Sequence, residues 1–238
     1  MTIKTKAFIL TVIKYNDYDA IIKAYAEKTG FTAYYIKGFF RNKSGKIKRA
    51  FFQPGAILDL VAGNKNNGKL EFIREVQPAY HYKNINTDFD KLNTSIFLRE
   101  ILQESLKNEQ ADSDLFQYIT NAFIQLDHID FYPDFHLDFL IKLTQYLGFA
   151  PSINTVGTYF DMENGIFTEN IYSGNFLNKE DSLLLKEYLG TIFDSNPSIK
   201  VDQKQRQKLL QILLDFFQVH IDAFKMPKSI KILSQLYK

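Results

Sequence analysis

The residues best suited to chemistry lie in one basic segment, residues 34–49, which reads YYIKGFFRNKSGKIKR. It contains no acid and six cations: Lys37, Arg41, Lys43, Lys46, Lys48 and Arg49. Lys and Arg neutralise phosphates and release their counterions, so such a run gives affinity for a polyanion of any sequence. The alternative is a solvated basic loop without a binding function, but six cations in sixteen residues favour the binding of a polyanion. The segment does not distinguish DNA from RNA.

Aromatic residues are interleaved with these cations, at Tyr34, Tyr35, Phe39 and Phe40. An aromatic ring on the surface of a binding barrel can stack on a base of any sequence. Successive residues of a strand point alternately into and out of a barrel. We therefore expect one of Tyr34 and Tyr35 to stack on a base, and not both. The candidate phosphate contacts outside the segment are Lys14, Lys23 and Arg74.

A second candidate site is the segment DHIDFYPDFHLD, residues 127–138, which holds four Asp and two His. Such a cluster could bind a metal or transfer protons. However, Asp134 directly precedes a predicted helix and is expected to cap its N-terminus. His136 and Asp138 are two residues apart, so on a helix they point to different faces. The spacing completes no metal motif, and capping is the favoured interpretation.

Signatures of common enzyme classes are missing from the sequence. It contains no Walker phosphate-binding loop, no GxSxG and no HExxH. The chain has no Cys, which excludes disulfides, thiolate nucleophiles and Cys-ligated zinc. None of its four His has a convincing partner in the sequence. We therefore expect a non-enzymatic protein with no cofactor and no bound metal.

The elements that must position these residues are strands first and helices afterwards. Five β-prone runs in the first 80 residues predict a small closed barrel: residues 7–14, 20–27, 31–38, 57–62 and 69–76. An OB fold is the usual five-stranded barrel, and an SH3-like barrel is its rival. In the fifth run, Leu70, Phe72 and Arg74 are expected on one face. Gln77-Pro78 marks the expected boundary of this domain, residues 1–80.

After residue 87 the apolar spacing becomes helical, with helices predicted over 135–147, 183–193 and 209–221 among others. Asn164-Gly165 between two β-prone triplets predicts a hairpin, in a lobe of about residues 152–178. The predicted fold class is therefore α+β: an N-terminal five-stranded OB barrel, then an all-helical domain over 81–238 with a small β-hairpin lobe.

Charge is distributed unevenly along the chain. Residues 1–80 contain 14 Lys and Arg against six Asp and Glu, a net charge of +8, and the remainder has 15 against 21, a net charge of −6. This asymmetry predicts a polyanionic partner for the first half. No segment resembles a signal peptide, and none approaches about 18 uninterrupted apolar residues. We therefore expect a cytoplasmic protein without a membrane segment.

Several short motifs follow one another in a characteristic order. Tyr15-Asn16-Asp17 follows the first strand, Ile36-Lys37-Gly38 precedes the basic run, and Gln53-Pro54-Gly55 precedes the fourth strand. The later motifs are FHL at 135–137, LGFAP at 147–151, Arg206 with Leu209-Leu210, and KSIKIL at 228–233. Each motif is weak by itself. In this order and spacing they resemble the RecO family of recombination mediators over nearly the whole chain.

The resemblance implies a function in DNA repair and recombination. Members bind single- and double-stranded DNA, anneal complementary strands and help to load the RecA recombinase onto DNA coated by single-strand-binding protein. Their protein partners are RecR and the acidic C-terminal tail of the single-strand-binding protein. The alternatives left open by the residues are an RNA-binding OB protein and a non-catalytic scaffold for protein interactions.

One feature departs from the family pattern. Many members bind zinc through two CxxC-like pairs after the GxxP motif, whereas residues 152–168 of this chain contain no Cys and no His. We expect apolar packing to replace the metal, through Tyr159, Phe160, Ile166 and Phe167 and the Asn164-Gly165 turn. The resemblance therefore transfers no zinc ligand to this chain.

Overall fold

The computed structural model describes residues 2–41, 47–64, 70–130, 132–171, 174–193 and 201–236. Its first five elements are the strands β1 (Thr2–Lys14), β2 (Ala20–Ala26), β3 (Gly30–Ile36), β4 (Ile57–Gly63) and β5 (Glu71–Pro78). They close into a barrel in the order β1-β2-β3-β5-β4. This is a five-stranded OB-type barrel followed by helices, so the predicted fold class is confirmed.

The length of β1 is what allows the barrel to close. Its second half pairs with β2, from Ala7↔Ala26 to Lys14↔Ala20, while its first half pairs with β4, from Thr2↔Gly63 to Phe8↔Ile57. Closure between β3 and β5 is short and parallel, at Tyr34↔Glu71 and Tyr35↔Phe72. The interior is filled by alternate strand residues, including Ile9, Ile22, Tyr34, Leu60 and Ile73.

Two helices cover part of the outside of the barrel. They are α1 (Phe89–Ser105) and α2 (Ser113–His128), capped at their N-termini by the side chains of Asp88 and Asp112. The ring of Phe8 in β1 lies 4.7 Å from that of Phe123 in α2, measured between centroids. As a result Phe8 is fully buried although its neighbour Ala7 fills the interior, and β1 is buried on both faces at this point.

The connection between α1 and α2 is fixed to the β2–β3 hairpin. The hydroxyl of Tyr25 donates to the carbonyl of Gln110 over 2.9 Å, and the amide of Phe31 donates to the carbonyl of Glu109 over 3.0 Å. Gly30 has a φ of +65°, and a Cβ there would come within 2.5 Å of the Gln110 backbone. Only glycine fits such an approach at a positive φ. The barrel and the first two helices therefore form one packed unit.

The remaining elements are α3 (Phe135–Tyr146), β6 (Tyr159–Asp161), β7 (Ile166–Thr168), α4 (Lys179–Phe193), α5 (Gln203–His220) and α6 (Ile230–Leu236). The chain divides into two compact units, Met1–Ile129 with Pro227–Ser229, and Asp130–Met226 with Ile230–Lys238. A separate barrel domain ending near residue 80 stays a prediction. In the part of the chain that the structure describes, no helix has the length and apolarity needed to cross a membrane.

Candidate nucleic-acid interface

A row of apolar side chains crosses four strands on the outer face of the barrel. The strand register places Ile13 opposite Ile21, Ile21 opposite Tyr35, and Tyr35 opposite Phe72. Ile13 is 40% exposed and Phe72 is 53% exposed, which is unusual for side chains of this size. Exposed apolar groups that adjoin one another in this way mark an interaction surface.

Three rings of this surface form what we call the aromatic row: Tyr15, Tyr35 and Phe72. The centroid of Tyr35 lies 5.8 Å from that of Tyr15 and 5.7 Å from that of Phe72, with the rings edge to face in both pairs. Tyr15 is 60% exposed at the end of β1. An exposed ring face offers a stacking surface for an unpaired base.

The alternation of side chains along each strand decides which ring is available. In β3, Tyr34 points into the barrel and is 1% exposed, whereas Tyr35 points outward. In β5, Glu71 and Ile73 are buried, and Phe72 and Arg74 lie on the exposed face, as the sequence predicts. Of the two candidate tyrosines, Tyr34 belongs to the core, and Tyr35, half-buried on the outer face, stays the candidate for stacking on a base.

A buried carboxylate holds Tyr35 and the loop between β1 and β2. Asp19 is 8% exposed, and it accepts hydrogen bonds from the Tyr35 hydroxyl, the Gly38 amide (2.7 Å) and the Asn16 side chain (2.7 Å). The hydrogen bond from Tyr35, followed by those from Gly38 and Asn16, lowers the pKa of Asp19 to about 2. The same hydrogen bond to Asp19 raises the pKa of Tyr35. Asp19 is therefore ionised at neutral pH.

Cations surround the aromatic row. Lys14 is exposed and forms an ion pair of 2.9 Å with Asp17, and Arg74 is exposed on the same face of β5 as Phe72. Lys23 is half-buried on β2, where its register partners are Thr11 and Ala33. Lys37 is exposed directly after β3. Lys23 and Arg74 share the face of the aromatic row, since Lys23 is two residues from Ile21 and Arg74 two residues from Phe72. Lys14 directly follows Ile13 and is paired with the core residue Ala20, so by the same alternation it lies off that face, at the end of β1.

Two described arginines of the basic segment lie over aromatic rings. The Arg41 guanidinium carbon lies 4.3 Å from the centroid of the Tyr18 ring, and that of Arg49 lies 5.1 Å from the Phe40 ring. The Phe40 amide donates to the carbonyl of Tyr18 over 2.9 Å, which joins the segment to the β1–β2 loop. Cations stacked on rings in this way keep their charge exposed to an incoming phosphate.

Lys48 is the remaining cation of the segment that the structure describes. Lys48 and Arg49 are exposed, and the Lys48 ammonium lies 5.7 Å from the centroid of the Phe51 ring. Phe39 and Phe52 beneath them are buried, with centroids 5.7 Å apart. Lys43 and Lys46 lie outside the described residues.

Sequence reasoning missed Tyr15, Tyr18 and Phe72 as members of the site. Phe72 was placed on the face shared with Arg74, but nothing in the sequence showed that this face is the exposed one. The signal that could have found Phe72 is the alternation of side chains along a strand. Once Tyr34 is assigned to the core, Tyr35 must point outward, and the strand register between β3 and β5 then places Phe72 beside it on the outer face.

The acidic segment 127–138 is structural in this protein. Asp127 is fully buried and accepts hydrogen bonds from three backbone amides, at Lys83, Asn84 and Ile85. Its pKa is lowered, because these bonds outweigh the effect of burial, which acts in the opposite direction. Among the described residues, no group of three or more His, Asp or Glu could hold a metal ion.

Asp134 departs from the expectation that its side chain caps α3. It occupies the N-cap position but makes no side-chain cap hydrogen bond. Instead its carboxylate accepts from Nε of Arg206 in α5, forming an ion pair whose side chains are 11% and 15% exposed. The backbone of Asp134, at φ −94° and ψ 1°, is not in the extended conformation from which an N-cap side chain accepts from the first helical amides, which explains the difference.

Known proteins resemble this chain over its whole length. The family model described as "Recombination protein O N terminal" matches residues 1–82, and "Recombination protein O C terminal" matches residues 86–229. Proteins named DNA repair protein RecO from Flavobacterium johnsoniae and Christiangramia forsetii are each 35% identical to it over 238 residues, covering 100% of both chains. The protein of that name from Bacteroides fragilis is 27% identical and covers 98% of both chains.

Proposed function

The chain belongs to the RecO family of DNA repair proteins, and from that premise we propose that it is a recombination mediator that works by binding DNA. In this proposal it anneals complementary strands and helps to load RecA onto DNA coated by single-strand-binding protein. It acts in the cytoplasm without covalent chemistry. The family membership also supports a role in DNA repair in the broader sense.

The observation that carries the proposal is the aromatic row with cations on the same face of the barrel: Tyr15 and Phe72 are exposed, and Tyr35, next to both, is half-buried. Stacking on Tyr15, Tyr35 and Phe72 requires bases with a free face, which a single strand offers and an intact duplex does not. Cations such as Arg41 and Arg74 neutralise the backbone, which allows two strands to approach each other. Together these interactions favour the binding of unpaired strands of any sequence.

The protein partners we propose are RecR and the acidic C-terminal tail of the single-strand-binding protein. The support for both is the resemblance of the motif order to the RecO family, extended by the full-length similarity to proteins named DNA repair protein RecO. The helical domain is the proposed site of recruitment. Contact with the coating protein would place the basic barrel beside the strand that must be annealed.

The first experiment measures annealing of two complementary strands, each coated with single-strand-binding protein. We expect the chain to accelerate annealing, and we expect Phe72→Ala to slow it because one stacking ring is lost. Val156→Ala is the matched control, since Val156 is 89% exposed and lies in the other unit. If the wild-type chain leaves the annealing rate unchanged, the mediator function is wrong.

A fluorescence experiment tests stacking directly. The chain contains no Trp, so Phe72→Trp introduces a single indole into the aromatic row, which can be excited at a wavelength that the Tyr residues do not absorb. We expect addition of a single-stranded oligonucleotide to quench this emission, because a base stacks on the indole, and to leave the emission of Val156→Trp unchanged. Equal quenching of both variants would argue against a stacking site on the barrel.

Matched oligonucleotides of DNA and RNA distinguish the proposal from an RNA-binding function. We expect DNA to bind at least as tightly as RNA of the same sequence. A strong preference for RNA would favour a protein of RNA processing or translation. Absence of any salt-dependent binding would favour a scaffold for protein interactions.

A further inference from the structure

A carboxylate lies at the centre of the proposed DNA-binding face. Asp19 carries a negative charge and is 8% exposed, between the exposed loop residue Tyr18 and the start of β2. Its charge opposes the attraction of the surrounding cations for phosphate, and at distances of a few ångströms salt screens such an effect only in part. On electrostatic grounds the charge of Asp19 weakens DNA binding, so its presence at this position calls for another contribution.

The hydrogen bonds of Asp19 connect three parts of the binding face. Its carboxylate accepts from Tyr35 in β3, from the amide of Gly38 at the start of the basic segment, and from Asn16 in the β1–β2 loop. Gly38 has a φ of +71°, which turns its amide toward the carboxylate.

The loop itself is held from both ends. The Asn16 side-chain oxygen accepts from the amides of Tyr18 and Asp19, each over 2.9 Å, and the amide of Tyr15 donates to the carbonyl of Asp19 over 3.0 Å. Tyr15 and Tyr35, the neighbouring rings of the aromatic row, are thus both bonded to Asp19, one through its backbone and one through its side chain.

We infer that Asp19 is a positioning residue for DNA binding, which fixes Tyr35 and the β1–β2 loop so that the aromatic row is arranged before a strand arrives. A site that is ordered in advance avoids the entropic cost of immobilising its side chains on binding. This inference rests on the proposed function and adds a residue that does not itself contact DNA.

Positioning and electrostatics predict opposite outcomes when the carboxylate is removed. If the charge of Asp19 mattered only as a charge, Asp19→Ala would bind single-stranded DNA more tightly. If Asp19 positions the rings, the variant binds more weakly. The lost affinity should also be equal at all salt concentrations, because no phosphate contact disappears and the salt slope counts phosphates.

The experiment measures affinity for a mixed-sequence single strand at several salt concentrations. We expect Asp19→Ala to weaken binding about five- to tenfold with an unchanged salt slope, which is the lower range for the loss of one stacked base. The matched control is Asp17→Ala, which removes an equal charge from the same loop and whose side chain is 83% exposed. The control should bind equally or more tightly.

Two further variants separate positioning from general destabilisation. Asp19→Asn keeps an oxygen for the Gly38 amide and a polar partner for Tyr35, so it should recover part of the lost affinity. Tyr35→Phe removes the hydroxyl and keeps the ring, so it should weaken binding in the same direction, and the double variant Asp19→Ala, Tyr35→Phe should be no weaker than Asp19→Ala. This sub-additivity is expected of residues that act through one hydrogen bond.

The outcomes are distinguishable from failure of the proposed function. If the wild-type chain shows no salt-dependent binding, the proposed function fails before Asp19 is considered. If the wild type binds and Phe72→Ala weakens it, but Asp19→Ala binds as tightly as Asp17→Ala, positioning by Asp19 is wrong. Should Asp19→Ala fail to fold, Tyr35→Phe decides the question, since wild-type affinity in that variant would overturn the inference.

Discussion

At the scale of single residues, the buried carboxylate of Asp127 stabilises a turn by accepting hydrogen bonds from its backbone amides. It accepts from the amides of Lys83, Asn84 and Ile85, which enter a tight turn between the barrel and α1. Each of these amides would otherwise need another acceptor, because an unpaired buried N–H is costly. The carboxylate therefore replaces the regular secondary structure that the turn lacks.

We expect Asp127→Ala to lower the free energy of unfolding by about 3 kcal/mol, since hydrogen bonds to a charged group contribute about 1.5–3 kcal/mol and several are lost together. Asp130→Ala, which removes an exposed carboxylate from the same acidic segment, should change it by less than about 0.5 kcal/mol. Urea denaturation of the two variants beside the wild type provides the measurement. Equal stabilities would mean that the turn finds other acceptors.

The alternation of side chains along a strand was the one feature of the site that could be predicted from the sequence at the level of single residues. It showed that Tyr34 and Tyr35 point in opposite directions, and the structure places Tyr34 inside. It could not show that Tyr15 and Phe72 flank Tyr35, because that depends on contacts between β1, β3 and β5. The hydrogen-bond partners of Asn and Asp in short loops could not be predicted either, because Asp19 accepts its hydrogen bond from Tyr35, sixteen residues away in the sequence.

At the scale of elements, local sequence patterns predicted most strands and helices but not how these elements pack against one another. β1 begins at Thr2, earlier than the run at 7–14 predicts, because its first residues pair with β4 about 57 residues later in the chain. The helix predicted over 135–147 closely matches α3, which ends before Gly148 at a φ of +82°. The packing of α2 on Phe8 had no local signal at all.

The hairpin β6–β7 is held by apolar packing and by one carboxylate. Phe160 and Phe167 are buried with ring centroids 5.0 Å apart, and Phe216 of α5 lies 5.6 Å from Phe160. Asp161 accepts from the amides of the following turn, and Gly165 closes that turn at a φ of +64°. The inward pair thus consists of the two Phe, while Tyr159 and Ile166 are half-buried.

This arrangement predicts a lobe that is stable without zinc. Phe160→Ala should lower the free energy of unfolding by about 3–5 kcal/mol, the usual range for emptying a buried Phe site, and Val156→Ala in the same lobe should have little effect. EDTA should not change the melting temperature, because a structural metal would contribute to folding and its removal would unfold the lobe. Elemental analysis that finds one zinc per chain would contradict the prediction.

The basic segment is a candidate site of another kind, in which we expect several cations to act together. We expect replacement of Lys43, Lys46, Lys48 and Arg49 by Ala to weaken binding to all DNA sequences alike, because phosphate contacts carry no sequence information. The melting temperature should stay nearly unchanged, as for most surface substitutions. Competition with oligonucleotides of several sequences checks the first point, and unchanged affinity in the folded variant would move the site elsewhere.

At the scale of the whole molecule, the uneven charge distribution is the property that the sequence predicted most directly. A net charge of +8 in residues 1–80 and −6 in the remainder leaves a total of only +2. A polyanion is therefore expected to be attracted to the barrel more strongly than to the rest of the chain.

The salt dependence of binding measures this whole-molecule effect. With about four to six phosphates neutralised, the logarithm of the affinity for a single strand should fall against the logarithm of salt concentration with a slope of roughly −3 to −4. The quadruple variant of the basic segment should give a shallower slope, because each lost phosphate contact removes about 0.7 from it. Phe72→Ala, in contrast, should reduce affinity and leave the slope unchanged, since stacking releases no counterions. A slope near zero on mixed-sequence strands would show that the cations of the barrel do not contact phosphate.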